Sequence, residues 1–273
     1  MPKVVLSTNY DNNYLFFLPL TTFMWKKFGF DSIVYLPQRE DINNDLLNFV
    51  IKSSMPNIDT TVFFKLNPSF REDTQVQTVR LLAANSLVHN DEYLLTGDID
   101  MFPLTTMWYG DSLNNEKLNL YGHDLTGYTQ YPICYVGARA KVWKQLMDIQ
   151  TDDTEKELFK ALDSEPKSRS EKWEDYWGVD QDILTKKVIK FGVANCIHYK
   201  RGHDQSTGLP LGRVDRHDWE RTSKSIIKID AHLLRPGYTD ENFNKILDLM
   251  KEVLPNENLD WVVEYRNKFI FFI

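Results

Sequence analysis

Apolar positions along the chain fall into short continuous runs, residues 3–6, 32–36, 61–66 and 93–103, separated by longer stretches with apolar residues at helical spacing. Such runs predict strands buried on both faces, and the stretches between them predict the helices that cover those faces. The segment 14–28 is apolar all round and predicts one buried helix ended by Gly29, with Pro37 stopping the strand that follows. Further helices are expected over 45–51 and 75–87, the latter carrying Val76, Val79, Leu82, Ala83 and Leu87. Beyond a loop-rich stretch, strands are expected at 118–121 and 133–136 and a helix at 138–149. Thr154 and Glu157 form a capping box opening a helix to Leu162. Residues 163–172 turn to Ser, Pro, Lys, Arg and Glu and predict a surface loop, before a helix running to Ile189 and a strand over 191–198. The apolar stretch 226–229 and a helix over 240–254, with Phe243, Ile246, Leu247 and Met250 on one face, close the pattern. Alternating strands and helices place the chain in the α/β class.

Composition narrows this picture. A chain of 273 residues with 42% hydrophobic and 13% aromatic residues has enough apolar material for a large core. A net charge of −7 argues against a nucleic-acid partner, because phosphate backbones are held by broad Lys and Arg surfaces. Cys134 and Cys196 have no disulfide or metal-site spacing and read as reduced core thiols. With no signal-peptide pattern and no apolar run long enough to span a bilayer, a cytoplasmic location is expected.

The candidate chemistry gathers at Tyr93-Leu94-Leu95-Thr96-Gly97-Asp98-Ile99-Asp100-Met101-Phe102-Pro103. Read as one strand, it sets Asp98 and Asp100 on a single face, where both carboxylates reach one hard cation. The polar segment after the first strand offers Thr8, Asn9 and Tyr10 to a nucleoside, Tyr10 as a stacking ring. Arg80, on the helix before the aspartate strand, reaches the nucleotide from beside the site.

Asp98-Ile99-Asp100 on an apolar strand, a segment ending in Trp143, then Val179-Asp180-Gln181-Asp182-Ile183-Leu184 and a strand ending in His198 resemble, in order, the parts of GT-A fold glycosyltransferases of the family 8 type. The resemblance implies a Rossmann-like, mixed and mostly parallel sheet flanked by helices. Residues 1–220 would form the catalytic domain, 1–100 its nucleotide-binding half and 101–220 its donor-sugar and acceptor half, with 221–273 a C-terminal helical cover. It further implies Mn²⁺ or Mg²⁺ on Asp98 and Asp100, a UDP-sugar donor contacting Asp98, and Asp180 and Gln181 at the anomeric carbon. A histidine completes the metal site in that family and is followed by a glycine and Lys-Pro-Trp. Here the chain departs from the pattern, leaving His198 and His203 both open as ligand. Lys200 and Arg213, in a loop with several glycines, are the basic groups this acidic chain would turn toward the diphosphate.

The implied reaction moves a hexose to a glycan, glycoprotein or small-molecule hydroxyl. Rival classes fit less well. A phosphatase with an Asp-x-Asp nucleophile carries it near the first strand, and a sugar nucleotidyltransferase opens with a Gly- and Arg-rich phosphate loop that residues 7–13 lack. A non-catalytic carbohydrate-binding protein of the same fold remains the alternative, since Trp108, Tyr109, Trp173 and Trp177 suit sugar stacking.

Overall fold

The computed structural model describes residues 1–39, 44–86, 89–106, 109–121, 130–199, 210–220 and 227–273. Lys200 and His203, and Trp108, lie outside these residues. The chain opens with β1 (Lys3–Ser7), the helices α1 (Asn12–Leu15) and α2 (Leu18–Lys27), then β2 (Asp31–Gln38), α3 (Asn44–Ser54) and β3 (Ile58–Lys65). It continues through α4 (Glu72–Val79), β4 (Tyr93–Thr96), β5 (Met101–Pro103), β6 (Leu118–Tyr121), β7 (Val136–Arg139), α5 (Ala140–Met147), α6 (Thr154–Asp163), α7 (Trp173–Tyr176) and α8 (Val179–Phe191). The last elements are β8 (Cys196–Tyr199), β9 (Leu211–Val214), β10 (Ile227–His232), α9 (Asp240–Val253) and α10 (Asp260–Phe272).

A 7-stranded sheet runs in the order β3-β2-β1-β4-β7-β6-β8. All its neighbours are parallel except at β7, which lies antiparallel to β4 and β6. A 3-stranded sheet, β5-β10-β9, stands beside it. In β1 the side chains alternate between two cores. Val4 and Leu6 pack with α2, α3, α9 and α10, while Val5 packs with α4, α5, α6 and α8. The runs are therefore continuous in sequence yet serve both faces, each fully buried Val, Leu or Phe stabilising by about 1.5–3 kcal/mol.

The C-terminal helices share the first of these cores. Tyr265 donates its hydroxyl to Phe16 O at 3.0 Å, and its ring stacks on Phe16 at 5.5 Å. No helix among the described residues is long and apolar enough to cross a membrane.

Several expected boundaries shift for identifiable reasons. The segment expected as one helix over 14–28 is two, because Pro19 has no N–H to continue α1 and instead sits in the first turn of α2. The helix expected over 75–87 is α-helical only to Val79 and tightens to a 3₁₀ form over Arg80–Ser86. The cap of α6 is Asp153, which accepts from Lys156 N at 3.0 Å, while Glu157 turns back to Gln150 N and Thr151 N. The loop expected over 163–172 contains a 3₁₀ turn with Ser168 buried, and Gly192, at a φ of 94°, ends α8 before β8 begins at Cys196.

The strand expected over 93–103 is also two. β4 ends at Thr96, Gly97 N still donates to Val5 O at 3.0 Å, and a turn closed by Met101 N to Asp98 O at 3.2 Å leads into β5 of the other sheet. At Gly97 a Cβ would stand 3.0 Å from Val4 Cγ2 and 3.1 Å from Leu6 Cδ2, so the turn presses close on β1. Asp98 and Asp100 are thus residues of a turn, and the alternation that put them on one strand face does not apply to them.

Candidate active site

A cleft of about 320 Å³ opens at the carboxyl ends of β1 and β4, where open parallel sheets take their ligands. Thr8 and Asn9 come from the loop after β1, Asp98 and Asp100 from the turn after β4, and Asp180 and Gln181 from the first turn of α8. A larger hollow of about 950 Å³ adjoins it, sharing Asn9, Asp11 and Asp73. Asp98, Asp100, Asp180, Arg80, Arg216, His232 and Arg235 line the smaller one.

Arg80 is the hub. Only 5% exposed, it donates to Gly97 O at 2.8 Å, to Asp180 Oδ2 at 3.2 Å and to Asp98. Its position at the junction where α4 tightens, held by its own Nε to Gln77 O at 3.1 Å, turns the guanidinium into the protein. Burial works against its charge, but Asp98 and Asp180 outweigh that and hold its pKa above the ordinary value. Asp180 is the deeper of the two carboxylates, at 3% exposure against 31% for Asp98. Burial pushes its pKa up to about 6, with Asp98 adding to the rise and Arg80 opposing it. Its Oδ1 accepts from Gln181 N at 2.8 Å, which fixes the carboxylate at the start of α8.

Asp100 meets a second set of cations. Arg216 Nη1 donates to its Oδ2 at 2.9 Å, with His232 Nε2 at 3.4 Å and Arg235 Nε at 3.5 Å. Burial would raise its pKa, yet the hydrogen bond and charge of His232, with Arg235 and Arg216, hold it below the usual carboxylate range. Both aspartates therefore face the cleft, but each is already paired with protein cations.

The other expected residues are placed as follows. Thr8 is buried, with its hydroxyl to Asn9 O at 2.9 Å, and Asn9 Nδ2 donates to Asp73 Oδ1 at 2.9 Å. Tyr10 lines the adjoining hollow, its hydroxyl donating to Pro37 O, and burial pushes its pKa up to about 12. Arg213 is brought to the buried Asp230 at 2.7 Å, and its guanidinium lies over Tyr135 at 6.0 Å; it does not line the cleft. His198 stands on β8 with its ring 5.9 Å from that of Tyr131, also away from the cleft lining.

Among the described residues the histidine that reaches Asp100 is His232, from β10, together with Arg216 and Arg235. From the sequence Arg216 is only the last residue of a basic loop, 200–216, expected over the diphosphate, His232 reads as structural, and Arg235 is not singled out. The signal was present, since His232 is followed by Arg235-Pro236-Gly237, a basic residue ahead of a proline. Among the described residues no three His, Cys, Asp or Glu side chains form a ready metal cage. The donor types suit a hard divalent ion, which would have to draw Asp100 away from Arg216.

No family model matches the sequence, and no curated protein matches it. Solved structures do match. Over 95% of this chain and 98% of the other, the galactosyltransferase LgtC, solved in complex with donor and acceptor sugar analogues, is similar with a TM-score of 0.50 at 14% identity. The fold is that of the GT-A glycosyltransferases. A second GT-A neighbour, the glycosyltransferase GlyE of Streptococcus pneumoniae TIGR4, matches over 98% of this chain and 63% of its own, with a TM-score of 0.49 at 11% identity. The likeness establishes the GT-A architecture, and the chemistry rests on the residues of the cleft.

Proposed function

We propose that this protein is a metal-dependent glycosyltransferase that moves a hexose from a nucleoside diphosphate sugar, UDP-linked, to an acceptor hydroxyl. The observation that carries the reading is the Asp98–Arg80–Asp180 array, with Arg80 and Asp180 buried and Asp98 open to the cleft, beside Gln181 at the strand ends of a GT-A sheet. Thr8, Asn9 and Tyr10 lie on the side where the nucleoside would sit, and Arg80, Arg216 and Arg235 supply donors for its phosphates.

In the reaction the bond from the anomeric carbon to the diphosphate breaks with its electron pair leaving on oxygen, while the acceptor oxygen bonds to that carbon and loses its proton. Negative charge grows on the diphosphate and positive charge on the sugar ring. Arg80, held in place before the substrate arrives, meets the first without reorganisation, and the Asp180 carboxylate and Gln181 amide oxygen suit the second. With a pKa of about 6, Asp180 is mostly ionised at neutral pH, as that role requires.

Asp98 and Asp100 would hold the divalent cation, with His232 rather than His198 as the nitrogen donor, a mixture that favours Mn²⁺ over Ca²⁺. When bound, the ion supplies a Lewis acid to the leaving diphosphate.

The test is a screen of UDP- and GDP-sugars with a panel of acceptors, read as nucleotide release and as mass gain on the acceptor. Consumption of a UDP-hexose is expected. A protein that binds the nucleotide sugar and never turns it over would be a binding protein of the same fold.

A further inference from the structure

Two carboxylates bracket the imidazole of His232. Its Nε2 is 3.4 Å from Asp100 Oδ2, and on the far side of the ring its Nδ1 is 3.7 Å from Asp215 Oδ2. Asp100 and His232 line the cleft, whereas Asp215 stands behind them and does not. Neither the donor chemistry nor the cation site makes use of Asp215 directly.

Sheet pairing brings Asp215 to the ring. β9 and β10 run parallel with Val214 paired to Ala231, and both of these turn into the core. By alternation the next residue in each chain, Asp215 and His232, turns to the opposite face, where the two are neighbours across the pair. A turn just past the end of β9 then fixes the carboxylate. Asp218 N donates to Asp215 O at 3.0 Å, and His217 N donates to Asp215 Oδ1 at 2.9 Å, so Oδ2 is the oxygen presented to the ring. Arg216, the next residue, pairs with Asp100 Oδ2 at 2.9 Å. Adjacent residues of one turn thus hold the two groups proposed as cation ligands, Arg216 the carboxylate and Asp215 the histidine.

A neutral imidazole that gives one nitrogen to a cation keeps its proton on the other, and the bond made by that proton decides which way the ring is turned. For His232 the nitrogen on the Asp100 side is Nε2, which leaves Nδ1 to carry the proton, with Asp215 beside it. The 3.7 Å separation exceeds a hydrogen bond by about 0.5 Å, a gap that a small rotation of the ring closes. We infer that Asp215 is the positioning residue for His232, accepting the Nδ1 proton and so holding Nε2 toward Asp100 for a divalent cation. The inference rests on the metal-dependent reading of the cleft. A partner of this kind is worth about 10–100-fold in metal affinity, because it sets both the tautomer and the orientation of the ligand before the ion arrives.

The experiment measures the cation rather than turnover. Mn²⁺ is titrated into the full chain with UDP present, read by the electron paramagnetic resonance signal of free Mn²⁺, and UDP is titrated with chelator by calorimetry. Asp215→Ala is expected to weaken Mn²⁺ by about tenfold or more and to leave the affinity for UDP in chelator unchanged, which shows that the fold is intact. Asp215→Asn keeps the bond from His217 N and an oxygen for the Nδ1 proton, and it should retain most of the affinity that alanine loses. In a His232→Ala background Asp215→Ala should cost nothing further, since a positioning residue acts only through the group it positions. An equal loss in both backgrounds, or an asparagine as weak as alanine, overturns the inference, because Asp215 would then act as a distant charge or through the turn. Wild type that binds Mn²⁺ with Asp215→Ala binding it as tightly overturns the role of Asp215 and leaves the cation site standing. Wild type that binds no Mn²⁺ overturns the cation site and the role of Asp215 with it.

Discussion

Arg80 donates to Asp180 at 3.2 Å across 100 positions of sequence, with both side chains at most 5% exposed. The contact ties the end of α4 to the start of α8 beneath the cleft, and Asp98 completes it from the turn after β4. A buried cation shared by two carboxylates is held by geometry that each partner depends on, so its removal is felt in stability as well as in any chemistry above it.

Arg80→Met should therefore destabilise the fold by about 3–5 kcal/mol at neutral pH. In thermal unfolding this reads as a fall in Tm of about 10 °C. The loss should shrink near pH 5, because Asp180 without its cation accepts a proton and ceases to be a buried charge. A fall of equal size at both pH values would mean that Asp180 is not what Arg80 neutralises.

Asp180→Asn and Gln181→Ala address the chemistry. If they stabilise charge at the sugar carbon, turnover should fall by about 10²-fold or more with donor binding nearly intact. A carboxylate that only holds the first turn of α8 through Gln181 N would leave turnover near wild type in Asp180→Asn, since the asparagine oxygen accepts the same bond. Single-turnover kinetics with saturating donor separates the two outcomes.

The pH dependence of stability follows from the same residue. Its folded pKa of about 6 lies above the ordinary 3.8, so its contribution is fully present below about pH 4 and is lost as pH rises through about 6. The loss amounts to about 3 kcal/mol. Asparagine does not titrate. Urea unfolding should show Asp180→Asn gaining on wild type by up to about 3 kcal/mol between about pH 4 and pH 7, and a pH-independent difference would refute the shifted carboxylate.

Metal dependence is read from binding. Calorimetric titration of UDP should give an affinity about tenfold or more higher with Mn²⁺ than with chelator, and Asp100→Ala and His232→Ala should each remove the difference. Metal-independent affinity would mean that Arg80, Arg216 and Arg235 hold the diphosphate without a cation.

Residues acting within one element were legible along the chain. The buried runs of β1, β2 and β4 and the βαβ order follow from local hydrophobic pattern and spacing, whereas Asp98 and Asp100 were legible as a pair but not as a turn, and Asp180 and Gln181 came from the resemblance. The end of α2 was legible at Gly29, whose φ of 83° suits a residue without Cβ. Helix breaks were harder, because Pro19 was outweighed in the pattern by the apolar residues on either side of it.

What tertiary structure alone decided is which distant side chains meet. Asp98 and Asp100 are two residues apart, yet one turns to Arg80 and the other to Arg216, His232 and Arg235, because the chain leaves one sheet at Thr96 and enters the other at Met101. His232 reaches the cleft because β10 pairs with β5, register His232 to Met101, and that pairing sets it next to the aspartate turn. Spacing along a strand encodes which face a residue takes, whereas the meeting of β5 with β10 is a long-range hydrogen-bonded pairing with no local signature. The sequence by itself determined the fold class, the carboxylates and Arg80 as a candidate, and the sheet pairing determined that His232 faces Asp100.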